Sequence, residues 1–268
     1  MATMSVTDAA LPLDATLLSR IEDAGLNASA PPQQRWLDGW LLRFSPGKAK
    51  RARCINAVAT GRLPVQAKLG LAAPVYDEAG LPLLVRITPF SQPAGLDALL
   101  ASMGMRTLDD TRVMVCPDLA PLRPLALPAG LSFQRVSHEP FAHAVGGLRG
   151  SPLAQRQAHA QRLALSPVPF DAWVIRRDDD AQVVACGQCC TESDLIGLYD
   201  IYTAEPMRGQ GLSRALCAML LLRARERGAR VGYLQVEGDN HVARAVYRRL
   251  GFADAYRYHY RTPDPSAR

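Results

Sequence analysis

The stretch Arg208-Gly209-Gln210-Gly211-Leu212-Ser213 separates an apolar run, Leu195 to Thr203, from a segment in which Leu212, Ala215, Leu216, Met219 and Leu220 recur at helical spacing. A strand that feeds a glycine-rich turn and then a helix points several unpaired backbone N–H groups and the positive helix end at one spot, so it can hold a phosphate. No Gly-Lys-Ser/Thr follows, which excludes the phosphate loop of nucleotide hydrolases, and the third glycine of the dinucleotide fingerprint is missing. Alone, the turn predicts an anion site at a helix start, a pattern that ordinary helix starts also show.

Working outward, Gly228 closes the helix as a C-cap, and Gly232 to Val236 reads as a short strand. A second helix starts near Asp239 or Asn240, either of which can cap free N–H groups, with Ala243, Val246, Tyr247 and Leu250 as its buried stripe. Gly251-Phe252 ends it, and Ala255 to Arg261 forms a last strand. Upstream, Ala172 to Arg176, Gln182 to Glu192 and Leu195 to Thr203 read as an antiparallel meander, with a turn at Asp178-Asp179-Asp180. Leu131 to Arg135 precedes them as a strand, with helices at Pro140 to Gly147 and Pro152 to Leu165.

In this order the motifs resemble those of the GNAT N-acetyltransferase superfamily. Arg208, Gly211 and Ser213 fall in the three fixed places of its Gln/Arg-x-x-Gly-x-Gly/Ala signature, with Ser213 departing from the usual Gly or Ala but still small. Leu234 to Asn240, followed by Tyr247-Arg-Arg-Leu-Gly251-Phe252, is similar to its second signature, and the likeness covers Leu131 to Arg261. The resemblance implies an α/β fold with a mixed, mostly antiparallel sheet flanked by helices. It also implies acetyl-CoA as co-substrate and direct attack by a primary amine in a ternary complex. The pyrophosphate would rest on Gly209, Gln210, Gly211, Leu212 and Ser213 beside Arg208, and the pantetheine along Ile201, Tyr202 and Thr203. Asn240 would bond the cofactor or cap its helix. Tyr247 matches the family tyrosine that protonates the leaving thiolate, against the alternative of a core tyrosine.

An amine attacks only in its neutral form, and a lysine-like amine has a pKa near about 10.4, so a base is needed. Asp200, on the strand leading to the turn, is the first candidate, with Glu192 and Glu237 behind it. A strand aspartate can also simply hold a neighbouring loop. A backbone N–H near Ile201 is the expected oxyanion donor. The five histidines, His138, His143, His159, His241 and His259, do not cluster by spacing, and none is given a catalytic part.

The first half repeats part of this order: a helix at Val65 to Ala79, a strand at Leu83 to Ile87, a helix at Leu96 to Met103 and a strand at Thr111 to Val115. Gly80 and Gly104 are 24 residues apart, Gly228 and Gly251 23, which points to two related lobes. The first lacks the chemistry, since Gly61-Arg62-Leu63-Pro64 replaces the glycine-rich turn and Leu100 falls where the second has Tyr247. The expected division is a degenerate GNAT-like lobe at 1–118, a proline-rich linker at 119–130 and the acetyltransferase lobe at 131–268. Trp36, Gly39 to Phe44, Lys48, Lys50, Arg51 and Arg53 read as two strands joined by a basic turn. The first lobe is expected to complete the acceptor pocket, through Trp40 or Arg43, or to form a homodimer contact.

With 268 residues, 48% of them apolar, the chain can build two modest cores. Its charge of +6 suits an anionic partner, but aromatic and basic residues do not interleave as base stacking requires, so no nucleic acid is expected. The arginines Arg223, Arg225, Arg227, Arg244, Arg248 and Arg249 read as solvated helix faces. No apolar run is long enough for a membrane span and no leader is evident, so a cytoplasmic protein with no membrane partner is expected. Of six cysteines only Cys186 and Cys189 have metal-like spacing; on a strand they point to opposite faces, so buried thiols and no metal are expected. Two other readings compete with the enzyme: a non-catalytic acyl-CoA-binding or regulatory module, and an aminoacyl-transferring relative that uses charged tRNA. Acceptor identity, whether small amine or a protein or peptide amine, is not encoded in these motifs.

Overall fold

The computed structural model describes residues 13–46, 49–264 and 266. In the first half, helix α1 (Ala15–Ala28) is followed by strands β1 (Gln34–Leu37), β2 (Trp40–Arg43) and β3 (Ile55–Ala57). Then come helix α2 (Val65–Glu78), strand β4 (Val85–Ile87), helix α3 (Leu96–Ser102) and strand β5 (Arg106–Cys116). The second half opens with β6 (Leu131–Val136), α4 (His138–Leu148) and α5 (Leu153–Ala164). It continues with β7 (Phe170–Arg177), β8 (Val183–Glu192), β9 (Leu195–Thr203), α6 (Leu212–Glu226), β10 (Val231–Glu237), α7 (His241–Arg248) and β11 (Ala253–Thr262).

The eleven strands of the described residues join one sheet, in the order β1-β2-β3-β4-β11-β5-β10-β9-β8-β7-β6. The expected meander is present, β6 to β9 pairing antiparallel in sequence order. The two halves then exchange strands. β11 lies between β4 and β5, and β5 lies between β11 and β10, all three contacts antiparallel. The sequences β3-α2-β4-α3-β5 and β9-α6-β10-α7-β11 therefore fill equivalent places, and each half completes its sheet with the other's last strand.

Alternation along the strands divides the core into two faces. Val113 and Val115 of β5 pack with Ile21 of α1, while Met114 and Cys116 pack with Leu216 and Leu220 of α6. Cys186 and Cys190 of β8 join Phe141 and Val145 of α4, and Cys189 joins α6 on the other face. The opposed faces expected of Cys186 and Cys189 follow. All six cysteines are free and buried, and burial pushes the thiols of Cys186, Cys189 and Cys190 up to about 12. No metal-binding group of side chains occurs among the described residues.

Helix α1, absent from the sequence reading, begins at Asp14, whose carboxylate accepts from the Thr16 N–H, and buries Ile21, Ala24 and Ala28. The basic segment joins two paired strands as expected, β2 and β3 running antiparallel from Trp40↔Ala57 to Leu42↔Ile55. β1 and β2 are joined at Asp38-Gly39, both at positive φ, whereas Lys50 to Ala52 forms a short 3-10 turn before β3; Lys48 lies outside the described residues. Among the described residues no helix is long and apolar enough to cross a membrane.

Candidate active site

The turn at Arg208 to Ser213 leaves β9 by way of a short 3-10 segment, Glu205–Met207, and enters α6. Gly209 and Gly211 have φ of +80° and +78°, a region glycine occupies without penalty, and Gly211 is the N-cap. No side chain caps this helix. Among the described residues the N–H groups from Gly209 to Arg214 meet no backbone acceptor, the first bond of the helix being Ala215 N–H to the Gly211 carbonyl at 3.0 Å. A β-carbon at either glycine would meet open space, so the N–H groups face an accessible surface with the positive end of a fifteen-residue helix behind them. Ser213 turns inward, its hydroxyl 3.0 Å from that of Thr203 on β9.

Beside the turn the sheet opens. β9 and β10 pair in parallel only from Leu195↔Val231 to Leu198↔Leu234 and then diverge, leaving the β10-facing edge of Tyr199 to Thr203 unpaired. On its other side β9 carries a bulge: its register against β8 shifts between Cys186↔Tyr202 and Gln188↔Tyr199, with Asp200 at φ +53°. The bulge adds one residue and throws Asp200 onto the α4–α5 face. There its carboxylate accepts from Arg149 at 2.9 Å and from the Gln188 amide at 2.8 Å, and it lies 3.3 Å from His159 Nε2. The His159 contact is close but bent away from good hydrogen-bond geometry, since Nε2 has no well-aligned partner. Burial would raise the Asp200 carboxyl, but the neighbouring His159, Arg149 and Arg162 outweigh it and hold the group well below the usual carboxylate range.

Asp200, expected as the base, is therefore a poor one: an anion this stabilised has little affinity for a proton. What the bulge produces is an aspartate placed beside a histidine, a neighbour that sequence spacing missed. Arg149 also stacks over Tyr202 at 5.5 Å, and Arg208 reaches the Tyr202 hydroxyl at 3.3 Å, so one ring links the bulge to the turn.

Tyr247 is 9% exposed on α7, edge-on to Phe252 at 6.1 Å, and its hydroxyl has no protein hydrogen-bond partner among the described residues. Burial, then nearby Cys217, push its phenol above the usual range, while Arg149 pulls it down. The field of Arg149 thus reaches both Asp200 and Tyr247. Asn240, expected either to bond a cofactor or to cap, caps: its Oδ1 accepts from the Ala243 N–H at 3.1 Å.

The first half fills the equivalent of the glycine-rich turn from within. The Asp38 carboxylate accepts from the N–H groups of Arg62 at 2.9 Å and Leu63 at 2.8 Å, ahead of α2. Lys68, wholly buried, lies 3.1 Å from the same carboxylate. Gly61 permits this approach, since a β-carbon there would collide with Asp38.

Residues 138–252 match the acetyltransferase (GNAT) family. The second half of the chain carries a GNAT domain. The chain is 26% identical over 231 residues to YobR, an uncharacterized N-acetyltransferase of Bacillus subtilis (strain 168), covering 85% of this chain and 91% of the relative. Its fold is similar to that of a GCN5-related N-acetyltransferase from Kribbella flavida, with TM-score 0.63 and 20% identity over 92% of this chain and 95% of that one. A tandem GNAT protein from the clavulanic acid biosynthesis pathway is similar over 75% of this chain and 70% of its own, with TM-score 0.62 and 19% identity. The mixed sheet with helices on both faces is the GNAT fold, and the tandem relative fits the two-lobe arrangement.

Within this GNAT fold, Asp200, Ile201, Tyr202 and Thr203 line the opening of the sheet, Arg208 to Ser213 lie at its mouth, and Tyr247 stands on the helix after β10. Four of the six arginines depart from the solvated face expected of them. Arg225 donates to the carbonyls of Leu119, Ala120 and Leu122, tying the proline-rich segment to α6, and Arg227 pairs with Asp171. Arg223 stacks on Trp173 at 4.7 Å, and Arg244 is buried against Gly238 and Asp254. Trp40 and Arg43, expected to serve an acceptor pocket, are core residues instead. Trp40 is fully buried under Lys68, and Arg43 donates to the Leu26 carbonyl, Ser29 and Gln34. A small β2 with all four residues buried leaves neither side chain free to face a ligand.

Proposed function

We propose that this GNAT protein transfers an acetyl group from acetyl-CoA to a primary amine by direct attack in a ternary complex. The observation that carries the reading is the run of unpaired N–H groups from Gly209 to Arg214 at the mouth of the β9–β10 opening, with the unpartnered Tyr247 hydroxyl nearby. That donor array suits a pyrophosphate, and the free edge of Ile201 to Thr203 suits the amides of a pantetheine arm. When bound, acetyl-CoA supplies the activated acyl carbon. The chain supplies the rest.

His159, oriented by Asp200, takes the proton of the incoming ammonium. The freed amine attacks the acyl carbon, with a backbone N–H at the bulge near Ile201 donating to the developing oxyanion. Collapse breaks the carbon–sulfur bond, and the proton lost from the new amide nitrogen passes to the thiolate. Because burial holds the Tyr247 proton tightly, Tyr247 assists by donating a hydrogen bond to that thiolate. Full ionisation of the phenol would be uphill against a thiol of pKa about 8.5.

The test is thiol release from acetyl-CoA across pools of small amines and of peptides with free N-termini or lysines, with mass identification of the product. Amine-dependent release is expected. Acetyl-CoA binding without release from any pool would favour the acyl-CoA-binding module instead, and no binding at all would overturn both.

A further inference from the structure

Two arginines that no carboxylate holds stand beside the bulge of β9, one from each lobe. Among the described residues Arg51, in the short turn before β3, donates only to the Gln235 side chain on β10, and Arg162, on α5, donates only to the Ala28 carbonyl, at 3.4 Å. Gln235 and Ala28 bring the two together at the end of α1, since a β-carbon on Gly25, one turn before Ala28, would lie 2.9 Å from the Gln235 amide nitrogen. Both arginines are half-buried, and the guanidinium nitrogens not used in these two bonds are open to solvent.

The carboxylates around them are taken. Asp200 is held by Arg149 and Gln188, Glu192 accepts from the Asn27 amide at 3.0 Å, and Glu22 is locked to the buried Arg86. Burial pulls the Arg162 guanidinium below its usual range, Asp200 opposes this, and the charge of Arg51 adds to it, a condition that an incoming anion relieves. His159 stands three residues before Arg162 on α5, so the two share a helix face with about 5–6 Å between their β-carbons. The charge of Arg162 is in turn felt at Asp200.

An imidazole and two open guanidinium groups, one helical turn apart, ask for an amine and an anion on one small molecule. We propose that the acetyl acceptor is an amine carrying a free carboxylate a few bonds away, as an amino acid does, its nitrogen at His159 and its carboxylate on Arg162 and Arg51. The inference rests on the acetyl transfer proposed above and names its substrate class. A planar guanidinium meets a carboxylate with two parallel N–H bonds, which suits this anion. A plain alkylamine or a protein lysine brings no anion and sets a third positive charge beside two. The first lobe then reaches the acceptor through Arg51, where Trp40 and Arg43 are held in the core.

The experiment compares kcat/KM for acetylation by the full chain of the free L-amino acids, of their amides and of the corresponding decarboxylated amines. An amide's amine is the weaker base and is more often neutral, so the comparison runs against the proposal. At least one amino acid is expected to exceed both its amide and its decarboxylated amine by about tenfold or more. Arg162→Gln should raise the KM of that amino acid about tenfold or more and bring it to the level of its amide, with acetyl-CoA binding unchanged as the sign of a folded variant. Arg51→Gln should act in the same direction, and Arg162→Lys, which keeps the charge, should recover part of the loss. Equal or better use of amides or decarboxylated amines, or a preference for the amino acid that survives both Arg162→Gln and Arg51→Gln, would overturn the inference and leave acetyl transfer standing. Acetylation in no arm would overturn both.

Discussion

His159 Nε2 lies 3.3 Å from Asp200 Oδ2, although one residue comes from helix α5 and the other from the bulge in β9. A carboxylate held far below its usual range orients and charges a neighbour better than it removes a proton. If the pair works in this way, His159→Gln lowers kcat/KM by about a hundredfold or more with acetyl-CoA binding intact. The acid limb of the pH–rate profile should disappear with it. Asp200→Asn should lower kcat/KM and displace that limb while keeping it. A limb unchanged in His159→Gln would remove the histidine from the mechanism.

The same carboxylate bears on acid stability. The folded carboxyl of Asp200 is depressed below its unfolded value of about 4, so its stabilisation is complete above that pH and is lost as pH falls further toward the folded value. Urea titrations between pH 7 and about 2.5 are expected to show wild-type stability falling below about pH 4. Asp200→Asn should start lower and fall less steeply, because the asparagine cannot titrate.

Tyr247→Phe removes a hydroxyl that no protein atom among the described residues uses and keeps the ring against Phe252. Its melting temperature should change little. Turnover is expected to fall about 10- to 100-fold with the KM for acetyl-CoA within about twofold, as for a hydrogen bond made only while the thiolate departs. Steady-state kinetics with the best amine decide it.

Ser213 occupies a place where the family signature has Gly or Ala, and its hydroxyl is turned to Thr203. Ser213→Ala should cost no more than about 1 kcal/mol of stability and preserve acetyl-CoA affinity. Ser213→Leu, with a side chain too large for the space between α6 and β9, should lose binding. Calorimetry on both variants separates the role of size from that of the hydroxyl.

Asp38 occupies the backbone N–H groups ahead of α2, in the place equivalent to those left unpaired ahead of α6. Asp38→Ala strips the N–H groups of Arg62 and Leu63 and the buried Lys68 of their shared partner, and the melting temperature is expected to fall. Acetyl-CoA stoichiometry should remain one per chain, because no run of free N–H groups like that at Gly209 to Arg214 replaces the carboxylate. A second acetyl-CoA site in Asp38→Ala would show that the carboxylate acts as a plug.

The parts of the molecule governed by local rules were legible beforehand. Glycine spacing marked the turn, helical periodicity marked α6 and α7, and Asn240 stood where a cap is wanted. Helix α1 was also within reach, with Asp14 as cap and Leu17, Leu18, Ile21, Ala24 and Ala28 at helical spacing. What alternation cannot express is which strand lies next to which, so nothing in Ala253 to Thr262 foretold β4 as its neighbour. Nor could spacing bring His159 to Asp200, 41 residues apart, because their meeting depends on one added residue in β9. The signal there is faint: aspartate is among the few residues that tolerate the positive φ a bulge needs. The arginines of α6 were misread because their partners, linker carbonyls and a tryptophan face, leave no trace in charge pattern.

The exchange of β5 and β11 sets a timetable for synthesis. Ala253 to Thr262 is made long after the first half, so until then β4 and β5 both lack the strand that lies between them in the fold. Only the arrival of β11 closes both halves, at nearly the same moment. A nascent chain stalled anywhere in the second half therefore presents two raw sheet edges, and the protein matures as a whole or hardly at all.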